Sequence, residues 1–113
     1  MSAILHELAE CLLEIEAELR RLDWWSSEEP CARSLASTDP FCVDTMAFEQ
    51  WLQWVFLPRM KMLLEQNEEL PQRSAITEMA EMVYAEMPGR TVTLRRHLKR
   101  VDRLLERNAR AAR

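Results

Sequence analysis

Apolar residues near the N-terminus recur at Met1, Leu5, Leu8, Leu12, Ile15, Leu19 and Leu22, in alternating steps of four and three. That spacing follows one side of a helix at about 3.6 residues per turn. Glu7, Glu10, Glu14, Glu16 and Glu18 fill positions between them, and Arg20 and Arg21 close the run, where the helix dipole favours cations. The pattern predicts an amphipathic helix over residues 3–22.

Residues 23–43 lack a long period. A structureless connection of that length is uncommon, so a short element is expected inside it. "SSEEP" offers a serine cap, first-turn acids and an early proline, which predicts a helical turn near residues 28–36. Trp24, Trp25 and Phe41 are expected to anchor the segment to the core.

Asp44 stands as a cap before the next apolar run. At about 100° per residue, Phe48, Trp51, Leu52 and Val55 share one face, and the same wheel carried on would bring Arg59 into its middle. Pro58 cannot donate to the carbonyl of Trp54 and crowds it, so a bend or restart is expected there. The change of phase would turn Met60, Leu63 and Leu64 inward and Arg59 aside. A third helix is expected over 74–86, with Ile76, Met79, Ala80 and Val83 inward. "MPGRT" ends it. A fourth starts near Thr91 or Thr93, with Leu94, Leu98, Val101 and Leu105 in steps of four, three and four. The reading is all-α: one four-helix bundle domain over 1–113, with a long first connection holding a helical turn.

Composition sharpens this reading. A single glycine in 113 residues argues against a turn-rich β fold and removes every glycine-rich phosphate loop. No apolar run approaches a membrane span, and the acidic start lacks the basic region of a secretion signal. Cys11, Cys31 and Cys42 have neither disulfide nor zinc spacing, which suits reduced thiols in the cytoplasm. His6 and His97 form no metal-ligand pair, so no metal, cofactor or catalytic residue is assigned. Cys42, two residues before the expected helix start, is the one thiol with a case for reactivity. Its alternative role is a small packed residue beside Phe41.

Charge divides unevenly. Residues 1–89 hold 17 acids and 6 bases, a net of −11, and residues 90–113 hold 2 acids and 9 bases, a net of +7. Arg96, Arg100, Arg103, Arg107 and Arg110 form a stripe opposite the seam of the fourth helix. It is a candidate for RNA phosphates, or a solvated face balanced by the acidic first helix. The net charge of −4 favours the second. Trp54 and Leu57 point away from the Phe48 face on the same wheel. They are expected either under the 23–43 segment or, with Trp24 or Trp25 and Arg59, as a patch for a protein partner.

"WWSSEEP", "PFCVDTMAFEQWLQWVFLPRM", the Leu70–Pro71 pair and "MAEMVY" together resemble the YqcC-like family of small bacterial proteins, over nearly the whole chain. The resemblance implies a helical bundle without an established activity. Members are often encoded beside a tRNA pseudouridine synthase and sometimes carry its name. Such synthases are larger mixed α/β proteins with a catalytic aspartate, so the resemblance implies an accessory or interaction protein tied to tRNA modification. Direct tRNA binding through the stripe is the second reading, and a small thiol-dependent enzyme the third.

Overall fold

The computed structural model describes residues 3–72 and 74–111. Its helices are α1 (Ala3–Arg21), the single turn α2 (Ala32–Leu35), α3 (residues 48–65), α4 (Ile76–Val83) and α5 (Val92–Ala111), with a 3₁₀ turn at Pro40–Cys42. No strand occurs among the described residues. The fold is an all-α bundle in which four helices exceed one turn.

The expected seam of α1 is the core. Leu8, Leu12, Ile15 and Leu19 are buried, Leu5 is half-buried, and Met1 lies outside the described residues. They pack against α5, whose Leu94, Leu98, Val101 and Leu105 are also buried. The two helices run antiparallel: Glu7 meets Arg107 and Glu14 meets Arg100, so rising numbers on one face falling numbers on the other. Between them the buried Cys11 thiol donates to the His97 carbonyl at 3.2 Å.

The middle of the chain departs from the expected wheel. Phe48, Leu52, Phe56, Met60 and Leu64 are buried at uniform steps of four. On an undisturbed helix that row would drift by about 160° from first to last. Residues Leu52–Phe56 form a π-turn, in which the Leu57 N–H donates to the Leu52 carbonyl five residues back. One extra residue in the turn removes about 100° of the drift. Val55 and Trp51, expected inward, are thereby half-buried at the edge. Leu57, expected off the Phe48 face and either covered by residues 23–43 or exposed, has 1% exposure and is core. The Trp54 carbonyl that Pro58 cannot serve lies inside this turn, so the change of register falls in the turn just ahead of the proline, as its missing N–H requires.

Other boundaries also shift. Helix α3 starts at Phe48, where Gln50 accepts from the Ala47 N–H at 2.9 Å; Asp44, the expected cap, instead accepts from the Ser37 hydroxyl. The α2 turn begins at Ala32, beyond "SSEEP", and no side chain caps it. In α4, Ile76 and Ala80 are buried and Met79 is half-buried, whereas Val83 faces solvent. Tyr84, just past the helix, takes its place in the core and donates to Glu49 at 3.0 Å. Asp102 of α5 caps α4 from outside, accepting from the Thr77 N–H at 3.1 Å and from the Ser74 and Thr77 hydroxyls. Cys42 is buried in the 3₁₀ turn, six residues before α3, which removes the helix-start case for its reactivity.

Two consequences are measurable. Leu57→Ala should cost about 2–5 kcal/mol in urea unfolding with an unchanged slope, as for a core leucine. Pro58→Ala should gain no more than about 1 kcal/mol, because the proline no longer interrupts a regular ladder. A loss of 2 kcal/mol or more would show that the proline itself holds the turn.

A further consequence concerns pH. Burial pushes the Cys11 thiol from its ordinary 9.0 up to about 11. Burial, then the neighbouring Glu49, raises the Tyr84 phenol as well. Both groups keep their protons longer in the folded chain than in the unfolded one. Stability is therefore full below about pH 9 and falls as pH rises towards 11. Cys11→Ala should flatten that fall. Exposed Cys31, whose pKa is lowered chiefly by its hydrogen bond with the Ser34 hydroxyl, should react first with a thiol reagent, and Cys11 only on unfolding.

Candidate functional site

The π-turn of α3 carries a cavity on each of two flanks. The first encloses about 370 Å³ and includes Trp25, Trp54, Leu57, Pro58 and Lys61. It is built by Gln53, which the extra residue turns inward to 5% exposure. The Gln53 amide holds both backbone groups of Ser26: its oxygen accepts from the Ser26 N–H at 2.8 Å, and its nitrogen donates to the Ser26 carbonyl at 2.6 Å. This clamp lays the segment after α1 along α3 and brings Trp25 to the same cavity as Trp54. Arg20 lies over the Trp25 ring at 4.6 Å. The buried Trp54 Nε1 has no hydrogen-bond partner among the described residues.

The second cavity encloses about 270 Å³ and is walled by Phe41, Trp51, Val55, Phe56 and Met60, with Arg59 lining it too. Its aromatic side is rigidly built. Phe41 meets Trp51 edge-on at 4.8 Å, and Trp51 stacks on Phe48 at 5.8 Å and on Phe56 at 5.6 Å. Phe41 reaches Trp51 from a left-handed backbone, with φ of 58° at Phe41 and 50° at Cys42. For residues other than glycine that conformation costs roughly 1–2 kcal/mol each. The segment is held by the Cys42 and Val43 N–H groups on the carbonyls of Asp39 and Pro40, and by the Thr45 hydroxyl donating to the Ser34 carbonyl at 2.8 Å. Arg59 is exposed and makes no ion pair among the described residues. The cavities come together along the chain at exposed Pro58 and Arg59, one residue lining each.

The five partner-site residues expected from sequence thus fall in three places. Trp25, Trp54 and Leu57 share the first cavity and Arg59 lines the second. Trp24 lies elsewhere: it stacks on Tyr84 at 5.3 Å, under the Arg90 guanidinium, which also donates to the Leu22 carbonyl. Sequence reasoning missed Trp51 and Phe56 as cavity walls. The uniform four-residue row from Phe48 to Leu64 was the signal that would have found them.

The arginine stripe is divided. Arg100 lies 4.0 Å from Glu14 and Arg107 lies 3.7 Å from Glu7, both on α1. Arg96, Arg103 and Arg110 are exposed, without an ion pair among the described residues. Lys99 and Arg103 border a groove that also contains Glu78, Asp102 and Glu106. Among the described residues no three His, Cys, Asp or Glu side chains are grouped to hold a metal, and no helix is long and apolar enough to cross a membrane.

Comparison with known proteins places this geometry. Residues 7–104 match the family DUF446, described as tRNA pseudouridine synthase C. An uncharacterized protein of Haemophilus influenzae is 41% identical over 70 residues, 62% of this chain and 66% of its own length. A Pectobacterium carotovorum protein named tRNA pseudouridine synthase C is 44% identical over 66 residues, 58% of this chain but 18% of its own length. The uncharacterized protein YqcC of Escherichia coli is 38% identical over 99 residues, covering 87% of this chain and 90% of that one. The solution structure of E. coli YqcC superposes with a TM-score of 0.81 at 32% identity, over 93% of this chain and 90% of that one. With a family match across most of its length and a full-length relative of the same fold, the chain belongs to the YqcC-like DUF446 family.

Proposed function

We propose that the protein is a cytoplasmic accessory protein that docks on a protein partner through the α3 ridge at Pro58–Arg59, and that the partner is a tRNA pseudouridine synthase. The observation that carries the docking is the pairing of a preformed aromatic cavity with an exposed arginine that makes no ion pair among the described residues, since aromatic residues and arginine dominate interface hot spots. The partner class is supported by the family description. It is also supported by the Pectobacterium protein of that name, in which the matching segment is under a fifth of the length. A segment of this kind attached to a longer chain fits an accessory role.

A second reading has its own support. Arg96, Arg103 and Arg110 on α5 make no ion pair among the described residues, which leaves them available to tRNA phosphates.

Calorimetry with the purified synthase and separately with tRNA separates the two. Docking predicts a stoichiometric complex that survives glutamine at Arg96, Arg103 and Arg110 but weakens about tenfold or more with Arg59→Ala or Trp54→Ala. Leu57 is unsuitable for this test because it is core. RNA binding predicts instead a tRNA affinity whose log–log salt slope is about −2 to −3, from three contacts at ~0.7–0.9 each, flattened by the same glutamines. Tight, salt-sensitive tRNA binding by the isolated protein, with no synthase complex, would replace the first reading by the second.

A further inference from the structure

The second cavity is specific enough in its chemistry to define what enters it. Its walls are the apolar side chains of Phe41, Trp51, Val55, Phe56 and Met60. Among the described residues its one charged lining group is Arg59 and no carboxylate lines it, although acids outnumber bases 19 to 15 in the chain. The first cavity differs, because there Lys61 is already neutralised by Glu16 at 3.3 Å. The volume of about 270 Å³ is that of about nine water molecules at ~30 Å³ each, so it has room for one large side chain and not for a helix. A flat or branched apolar group carrying one negative charge within reach of a guanidinium matches this arrangement.

The rim narrows the source of that charge. Pro40 and Pro71 border the cavity and have no N–H to offer. The remaining hydroxyl, that of Ser74, is donated to Asp102. On the side formed by Pro40 and Pro71, a passing chain would find no N–H for its carbonyls, which would lose their hydration there. A chain that ends there brings one carboxylate, whose two oxygens suit the planar fork of Arg59. The walls are also preformed. The left-handed Phe41–Cys42 pair and the π-turn both lie at this cavity, and departures of these two kinds concentrate at functional sites.

We propose that the Arg59 cavity captures the carboxyl-terminal residue of a partner polypeptide: the large apolar side chain sits among Phe41, Trp51 and Phe56, and the α-carboxylate pairs with Arg59. This deepens the docking reading and rests on it for the existence of a partner, while the cavity chemistry is testable without one. The test is an NMR titration of the isotope-labelled full chain with three probes: N-acetyl-Gly-Gly-Trp as the free acid, its carboxamide, and N-acetyl-Gly-Gly-Trp-Gly-Gly amide. The free acid should shift resonances of Phe41, Trp51, Val55 and Phe56 and bind at least tenfold more tightly than either other probe. Arg59→Gln should lower the acid to the level of the carboxamide, and Arg59→Lys should retain part of the difference. Equal binding of acid and amide, tighter binding of the internal tryptophan, shifts confined to the Trp25–Trp54 cavity, or no shifts at all would each overturn the proposal. Acid selectivity without a synthase complex would sink the named partner alone. A synthase complex without acid selectivity would sink the terminus proposal alone.

Discussion

One extra residue in the π-turn of α3 sets the phase of everything around it. Without it, a buried row with a period of four would wind off the core within two turns of Phe48. With it, Phe56, Leu57, Met60 and Leu64 all stay buried, and burying each such side chain contributes roughly 1.5–3 kcal/mol. The same residue turns Gln53 inward, where its amide oxygen and nitrogen each bond to Ser26, and turns Arg59 outward. The weakened ladder of one turn is offset by the packing of four large side chains and by a clamp on the long first connection. Core, connection and candidate cavities thus share a single cause.

Charge plays a smaller and different part. The pairs Glu7–Arg107 and Glu14–Arg100 are solvent-exposed, and each such pair contributes about 0–1 kcal/mol. The apolar seams of α1 and α5 hold the helices together. The charges favour their antiparallel register and neutralise part of a basic helix within an acidic chain. What is left over, Arg96, Arg103 and Arg110, is a residue of that balance, and it gives the RNA reading fewer contacts than a stripe of five would offer.

The sequence was most legible where the helices are regular. The alternating steps of four and three in α1, and of four, three and four in α5, place the buried residues correctly because those helices keep about 100° per residue throughout. The reading failed where a local device overrides that period. Pro58 marks a break in α3, but sequence does not show that the break takes the form of a π-turn at Leu52–Phe56, which buries Leu57 and leaves Val55 at the edge. Asp44 looks like a cap in sequence, yet it is spent on Ser37. Asp102 caps α4 across 25 residues, which no local pattern reveals. The candidate partner residues scattered for the same reason. Tryptophan and arginine mark interfaces by type, but their neighbours depend on helix phase and on where the connection folds.

The distribution of backbone strain separates structural necessity from the candidate site. The single glycine does not take positive φ, and among the described residues five others do: Asp23, Phe41, Cys42, Asn67 and Ala75. Asp23 ends α1 in a Schellman motif, with the Trp24 N–H on the Leu19 carbonyl and the Asp23 N–H on Arg20. Asn67 ends α3 in the same way, through Glu68 on Leu63 and Asn67 on Leu64. Both are short polar residues that tolerate this region. Ala75 opens α4, where Asp102 secures the turn on either side of it. Phe41 and Cys42 terminate no long helix, and neither residue type favours a left-handed backbone. They bury Cys42 and set the Phe41 ring edge-on against both Phe48 and Trp51, and the Trp51 contact is a wall of the Arg59 cavity. Every other strained position is accounted for by a helix end. This pair is accounted for by the seating of Phe41 between core Phe48 and the cavity wall at Trp51.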